Sequence, residues 1–505
     1  MRESDDRFLA RDAPGYGEAA AGDHLQTGYN LWLAGHQLER GAAPWIDPYS
    51  FQPEAEPVAN LQGWLFGLPY WPLVAALGSV LAWNVFIVFS YLLAGGLACA
   101  WLRQLGLPGT AALAGGLVFA LAPYRVGQST GHLLGPVSAL IPLALLAFER
   151  STSVAGAGRT RAWQALGGAA LAAIPLSGQV HLALGAIPFF LAYALVRTRE
   201  RAPLVAAGLG VLAAAAAGLL VREVAIAGSI SSGGRSLASV GRYSADWQDF
   251  VTRDVRGGIE QFVFLGWVTP LVALAGLIVL GQGRRRGLAA VLGLAAVIPI
   301  VLALGTNLPT YELLWNALPP FRFPRVPERL MPIACLALAA LVAFAMARIR
   351  PPIAALLIMA TLVLDVRVPV YAAVAADEEN RAYAALRAAP PGRLLELPVF
   401  RPDLHFGSAY LYYSMQAPRE RPGGYSTLAP RPADRLARRL RPVSCGAAPT
   451  SLRDLDVRYV AVHRALYRQS GFFAPNCAAR AERALERQGF RLLARDEQIA
   501  LLRRG

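Results

Sequence analysis

Between residues 81 and 370 the chain is a succession of apolar runs separated by short polar connections. The runs lie near 81–102, 107–123, 133–148, 163–178, 180–196, 202–221, 261–281, 287–304, 330–347 and 352–370. A helix needs about 20 mostly apolar residues to cross a bilayer, so this pattern predicts about ten transmembrane helices. Upstream, residues 1–60 are polar. The stretch 62–80 is apolar but carries Pro69 and Pro72, which predicts a re-entrant or interfacial hairpin rather than a span. From residue 371 the period changes. ADEENRAYAALRAA and RPADRLARRL have helical spacing, while RLLELPVF, VRYVAVHRALY and RLLARDEQIALLRR are short apolar runs, the last with the look of a hairpin. The predicted architecture is a first outer loop with its hairpin (1–80), an all-α polytopic membrane domain (81–370) and a small soluble α/β domain (371–505).

Arginine placement orients the helices. Arg103, the group Arg150/Arg159/Arg161, the group Arg197/Arg199/Arg201, the run Arg284–Arg286 and the pair Arg348/Arg350 all fall in short connections. Alternating the helices puts every cluster on one side, which the positive-inside rule makes cytoplasmic. Residues 1–80, 124–132, 222–260, 305–329 and the tail from 371 then lie outside. No apolar signal-peptide core occurs within 1–60, yet parity places these residues outside. That predicts a further membrane helix upstream of Asp23.

Composition agrees with a membrane chain. Of 505 residues, 55% are hydrophobic and only 16% charged, against about 25% charged in soluble proteins. The net charge of +15 is carried entirely by arginine, since the sequence contains no lysine. Arginines beside membrane segments set topology and meet lipid phosphates, so the charge does not point to nucleic acid. Cys99 and Cys335 lie in apolar runs, while Cys445 and Cys477 lie in the polar tail and would pair if that tail is exported. No P-loop, H-E-x-x-H or nucleophile elbow is present.

The outer loops hold the candidate chemistry. Asp23 lies where the upstream helix would emerge, at a depth where a carboxylate can act as general base toward an acceptor hydroxyl; the alternative is a helix cap. Gln26, Tyr29 and Asn30 follow on its helical face. Asp47 precedes a proline and reads as a turn residue or as part of the site. Arg125 and His132 flank a short outer turn and are candidate phosphate ligands, or else a snorkelling arginine and a capping histidine. Gln179 and His181 repeat the theme more weakly. Asp246, Asp249, Asp254 and Glu260 could bind a divalent cation such as magnesium or manganese, or form a solvated loop face. Glu260 opens a helix and is either a dipole-compensating acid or a site residue. Arg322, Arg325 and Arg329 form a cluster in a short loop on the wrong side of the charge rule. Guanidinium forks bind phosphate oxygens, and pairing with Glu312 or Glu328 is the alternative.

In order, GD..Q...W.......G..PW.DPY, PYR..Q..GHL, YSAD....F, PPFRFP.R.P.R, ELPVF and LRDLDVRYVAVH resemble motifs of multi-pass GT-C glycosyltransferases. The nearest likeness is to those allied to the family that glycosylates lipoteichoic acid. The resemblance implies a polyprenyl-phosphate-linked sugar as donor, a cell-envelope glycan, lipid or protein as acceptor, and a catalytic acid that maps onto Asp23. It also implies a plasma-membrane location with the C-terminal domain outside. A transporter or flippase of a lipid-linked or anionic substrate would share the outer arginines, and a non-catalytic GT-C relative would share the motifs.

Overall fold

The computed structural model describes residues 8–10, 18–56, 58–153, 156–254, 259–368, 373–447 and 451–505. The polar start at 1–7 and 11–17, and the end of the last apolar run at 369–370, lie outside the described residues. Described residues within Phe86–Arg222 and Gly233–Val370 form one compact unit. Those within Arg7–Val85, Glu223–Ser232 and Tyr371–Gly505 form the other.

Each of the ten apolar runs carries a helix. Six described helices are long and apolar enough to cross a membrane, and Gly109–Ala120, Val268–Gln282 and Pro352–Asp365 are shorter apolar helices. The first unit is built around Pro327–Met346, whose apolar window is 89% buried. Packing here cannot rely on the hydrophobic effect, because lipid is as apolar as leucine, so small residues let backbones approach. A Cβ added to Gly276 would lie 1.8 Å from the Leu341 carbonyl oxygen, and one on Gly210 would lie 3.1 Å from Gly168 Cα. Large apolar side chains such as Leu92, Leu212, Leu271 and Ile353 are exposed instead, as lipid-facing positions are.

The apolar stretch at 62–80, expected as a re-entrant or interfacial hairpin, is helical up to a break at Gly78. It is helical from Trp64, holds Pro69 and Pro72 within the helix, and continues to Gln104 across one kink at Gly78. Gly78 takes φ 75° and ψ 171°, a conformation costly for any residue with a Cβ. The prolines do not terminate the helix; the glycine bends it.

The second unit contains the predicted α/β tail. Its strands run in the order Arg393–Leu397, Val457–His463, Ile499–Arg504, Phe490–Arg495. The first pair is parallel and the other two pairings are antiparallel. Helices Arg431–Leu440 and Cys477–Arg487 cover an aliphatic core that includes Leu395, Leu436, Val460, Val462, Leu485 and Leu502. Cys445 and Cys477 are joined by a disulfide, with Cα atoms 4.3 Å apart. Helix Asp23–Glu39 belongs to this unit and packs on Ser408–Gln416.

Residues 49–52 are zipped to residues 421–423. Arg421 N–H donates to the Tyr49 carbonyl at 2.8 Å, Gln52 N–H to the Arg421 carbonyl at 2.8 Å, and Phe51 N–H to the Gly423 carbonyl at 3.1 Å. The fully buried Arg421 guanidinium is fixed beneath this zipper by Glu396 (2.5 Å), the Tyr410 carbonyl (2.7 Å) and Ser414 Oγ (2.7 Å). Removing one partner of a buried ion pair leaves the other charge uncompensated. Glu396→Ala is therefore expected to destabilise this unit by about 3–5 kcal/mol, read as a fall in melting temperature of the detergent-solubilised protein.

Candidate functional site

The two units each hold a group of polar side chains that the sequence singled out. In the second unit, helix Asp23–Glu39 starts at Asp23, with Gly22 in the cap position and donating its N–H to Ser408 Oγ at 3.0 Å. Asp23 is thus the first helical residue, half-buried, and its Oδ1 accepts a 2.7 Å hydrogen bond from the Tyr425 hydroxyl. Gln26 Nε2 donates to the Tyr425 carbonyl at 2.9 Å, so Gln26 serves the same tether.

Tyr29 and Asp47 are brought together below this point. The buried Tyr29 hydroxyl donates to Asp47 Oδ1 at 3.0 Å. That oxygen also accepts from the Tyr49 and Ser50 backbone N–H groups, at 2.9 and 3.2 Å. Asp47 therefore organises the turn that leads into the zipper. Burial pushes the Tyr29 phenol well above its ordinary pKa, and the Asp47 charge adds to the shift, so Tyr29 stays a proton donor. Alongside, His36 stacks on Trp32 at 4.3 Å between centroids, and its Nε2 lies 2.7 Å from the Tyr49 hydroxyl.

In the first unit, Glu260 bridges two predicted phosphate ligands. Its Oε1 accepts from Arg329 Nη2 at 2.8 Å and lies 3.7 Å from His132 Nε2. The other His132 ring nitrogen lies 2.7 Å from Gln128 Oε1. Burial alone would raise the Glu260 pKa, but the charges of Arg329, His132 and Arg325 outweigh it and hold the carboxyl below its usual value. Arg329, Arg235, Glu260 and Arg325 all act electrostatically on His181, so these side chains converge. Glu328 is fully buried, and among the described residues neither of its carboxyl oxygens has a hydrogen-bond partner.

The remaining candidates are placed differently. Arg325 stacks over the Tyr243 ring at 4.5 Å. Arg322 is exposed and donates to the carbonyls of Trp315 and Asn316, both at 3.1 Å. Arg125 is wholly buried, with Nε on Ser138 Oγ, Nη1 on the Ala120 carbonyl and Nη2 on the Ser90 carbonyl, at 3.1, 3.0 and 2.7 Å. That environment makes it a clamp between helices rather than a surface snorkel. Asp246 is exposed; its N–H donates to Asp249 Oδ2 at 2.7 Å and its Oδ1 accepts from Asn307 Nδ2 at 2.9 Å, which makes it a loop cap. No group of three or more His, Cys, Asp or Glu placed to hold a metal ion occurs among the described residues. Sequence reading missed Tyr425, Arg421 and Arg235. Arg235 carries the signal that marked Arg322–Arg329, an arginine in a loop that the arginine parity predicts to lie outside. The Gly423–Gly424 pair was the only hint of the close approach at Tyr425.

Because Glu260 titrates below an ordinary carboxyl, its pairing stabilises the folded state above pH about 4.3 and is lost as pH falls through the depressed value. Glu260→Gln should therefore lower stability by about 1–3 kcal/mol at neutral pH. Melting curves of variant and wild type should converge on acidification below about pH 4.

No family model and no curated protein sequence matches this chain. Solved structures do match its fold. The arabinofuranosyltransferase AftD from Mycobacteria aligns with a TM-score of 0.58 and 15% identity over 96% of this chain and 42% of its own. This chain thus spans less than half of AftD. The oligosaccharyltransferase AglB from Archaeoglobus fulgidus aligns in its apo form with a TM-score of 0.51 and 12% identity, over 91% of this chain and 68% of that one. Its complex with an inhibitory peptide and a dolichol-phosphate aligns with a TM-score of 0.50 and 11% identity over the same shares. At such identities the likeness is one of fold: this chain shares the fold of AftD and of the archaeal oligosaccharyltransferase.

Proposed function

We propose that the protein is a membrane glycosyltransferase that moves a sugar from a polyprenyl-phosphate donor to an acceptor hydroxyl on the extracytoplasmic face. Attack of an acceptor hydroxyl at the anomeric carbon breaks the bond to the lipid phosphate, requires loss of the hydroxyl proton, and leaves a phosphate anion. A carboxylate can take the proton, and guanidinium and imidazolium groups can hold the anion. The observation that carries the reading is Asp23, a half-buried carboxylate fixed by a hydrogen bond at the first turn of its helix. Asp23 is assigned the general base. The convergent Arg325, Arg329 and His132, with exposed Arg322 as an outer contact, are assigned the lipid phosphate. Gln26, Tyr29 and Asp47 position the Asp23 helix and the turn beside it, Asp246 shapes its loop, and Arg125 holds the helix pair together. The fold neighbours support the substrate class: one is bound to a dolichol-phosphate and the other is an arabinofuranosyltransferase. The arginine parity and the Cys445–Cys477 disulfide support an extracytoplasmic C-terminal domain.

The test is transfer by protein in nanodiscs, using undecaprenyl-phosphoryl hexoses and arabinofuranose with a cell-envelope lipid extract as acceptor. Wild type should release undecaprenyl phosphate and label an acceptor, and Asp23→Asn should slow this by roughly 100-fold or more. Arg329→Ala should raise KM for the donor. Movement of the donor between leaflets without transfer would point to a flippase. Reaction of a C-terminal tag with a membrane-impermeant reagent in whole cells should succeed; protection of the tag would place the domain inside.

A further inference from the structure

A carboxylate that acts as base must be held in one rotamer, and a single bond to a mobile partner does not achieve that. Tyr425 is not mobile. Its side chain is 8% exposed and packs with Tyr29, Leu33, Tyr49 and Leu411. Its backbone is held on both sides. The preceding residues are zipped to Tyr49–Gln52, and the following Ser426 N–H donates to the Pro402 carbonyl at 2.8 Å. Gly424 takes φ 154°, and a Cβ there would come within 2.8 Å of the Phe51 ring, so the turn admits the chain at that spacing only as glycine. Arg421 anchors the zipper through the buried bond to Glu396. The hydroxyl that reaches Asp23 Oδ1 at 2.7 Å is therefore presented by a rigid frame, from a position 402 residues away in sequence.

We propose that Tyr425 is the positioning residue of the Asp23 base: its hydroxyl fixes the carboxylate's orientation and stabilises its charged form. This rests on the reading of Asp23 as the base. The hydroxyl donates to the carboxylate and takes no proton from the acceptor. A donor to the charged form lowers a carboxyl pKa, so loss of the hydroxyl moves the Asp23 titration upward.

The test uses Tyr425→Phe in the full-length protein, which removes the hydroxyl and keeps the ring. Infrared carboxyl bands of the wild type minus Asp23→Asn, followed with pH, isolate the titration of Asp23 without any substrate. The same difference taken for Tyr425→Phe against the Asp23→Asn/Tyr425→Phe double variant should titrate about one to two units higher. In sugar transfer, kcat should fall about 10- to 100-fold with KM unchanged, and the acid limb of the pH–rate profile should move upward with the titration. Should the Phe variant fold poorly, difluorotyrosine at position 425 keeps the shape and makes the hydroxyl a stronger donor, which should move the titration downward. An unmoved titration overturns the proposal and leaves Tyr425 as packing. Unchanged transfer in Asp23→Asn would instead remove the base reading, whatever the infrared titration shows.

Discussion

The buried pair between Glu396 and Arg421 is the constraint on which the second unit turns. Two opposite charges excluded from water are tolerated only when geometry and added hydrogen bonds offset the desolvation. Here the Tyr410 carbonyl, Ser414 Oγ and the Arg419 carbonyl accept from further guanidinium N–H groups. The consequence is local and specific: the backbone of Arg421 becomes a fixed edge against which Tyr49 and Gln52 pair. From that edge follow the placement of Gly423–Gly424, the packing of Tyr425 and the orientation of Asp23. A second buried pair, His463 Nδ1 with Glu18 Oε2 at 3.1 Å, ties the segment just ahead of the Asp23 helix to the same strand layer. The sheet domain thus supplies a frame for the start of the helix, in addition to its own aliphatic core.

The membrane unit is organised by different physics. Its helices approach through glycine and alanine, and two of its buried charged groups are held by several partners each. Arg125 is clamped by two carbonyls and a hydroxyl, and Glu149 receives both Arg197 and Tyr193. Against this background the Arg329–Glu260–His132 group has more positive than negative neighbours when Arg325 and Arg235 are included. An excess of positive charge of this kind suits the anionic lipid phosphate assigned to the group in the proposed function. Glu260 holds two of those cations in place, which preorganises the group at the cost of part of its charge.

Hydropathy carried most of the fold. Among the described residues each apolar run carries a helix, because lipid demands long apolar stretches regardless of what packs on them. The alternating runs of the tail marked its strands for a similar reason, since a half-buried strand must alternate or cluster its apolar residues. At 62–80 the sequence pattern pointed to Pro69 and Pro72, whereas the non-helical position is Gly78. Pattern rules see residue types, whereas Gly78 matters through a backbone angle that no neighbour in sequence reveals.

The sequence by itself determined the membrane class, the sheet-bearing tail and the polar residues between the apolar runs. Each of these follows from local composition, which solvent and lipid read directly. Only the tertiary structure decided which partners those residues meet. Asp23 meets Tyr425, Asp47 closes a turn, Arg125 sits in the core and Arg329 pairs with Glu260 rather than Glu312 or Glu328. Those outcomes depend on contacts between segments tens to hundreds of residues apart, and the direction of a buried side chain is set by whatever the fold packs around it.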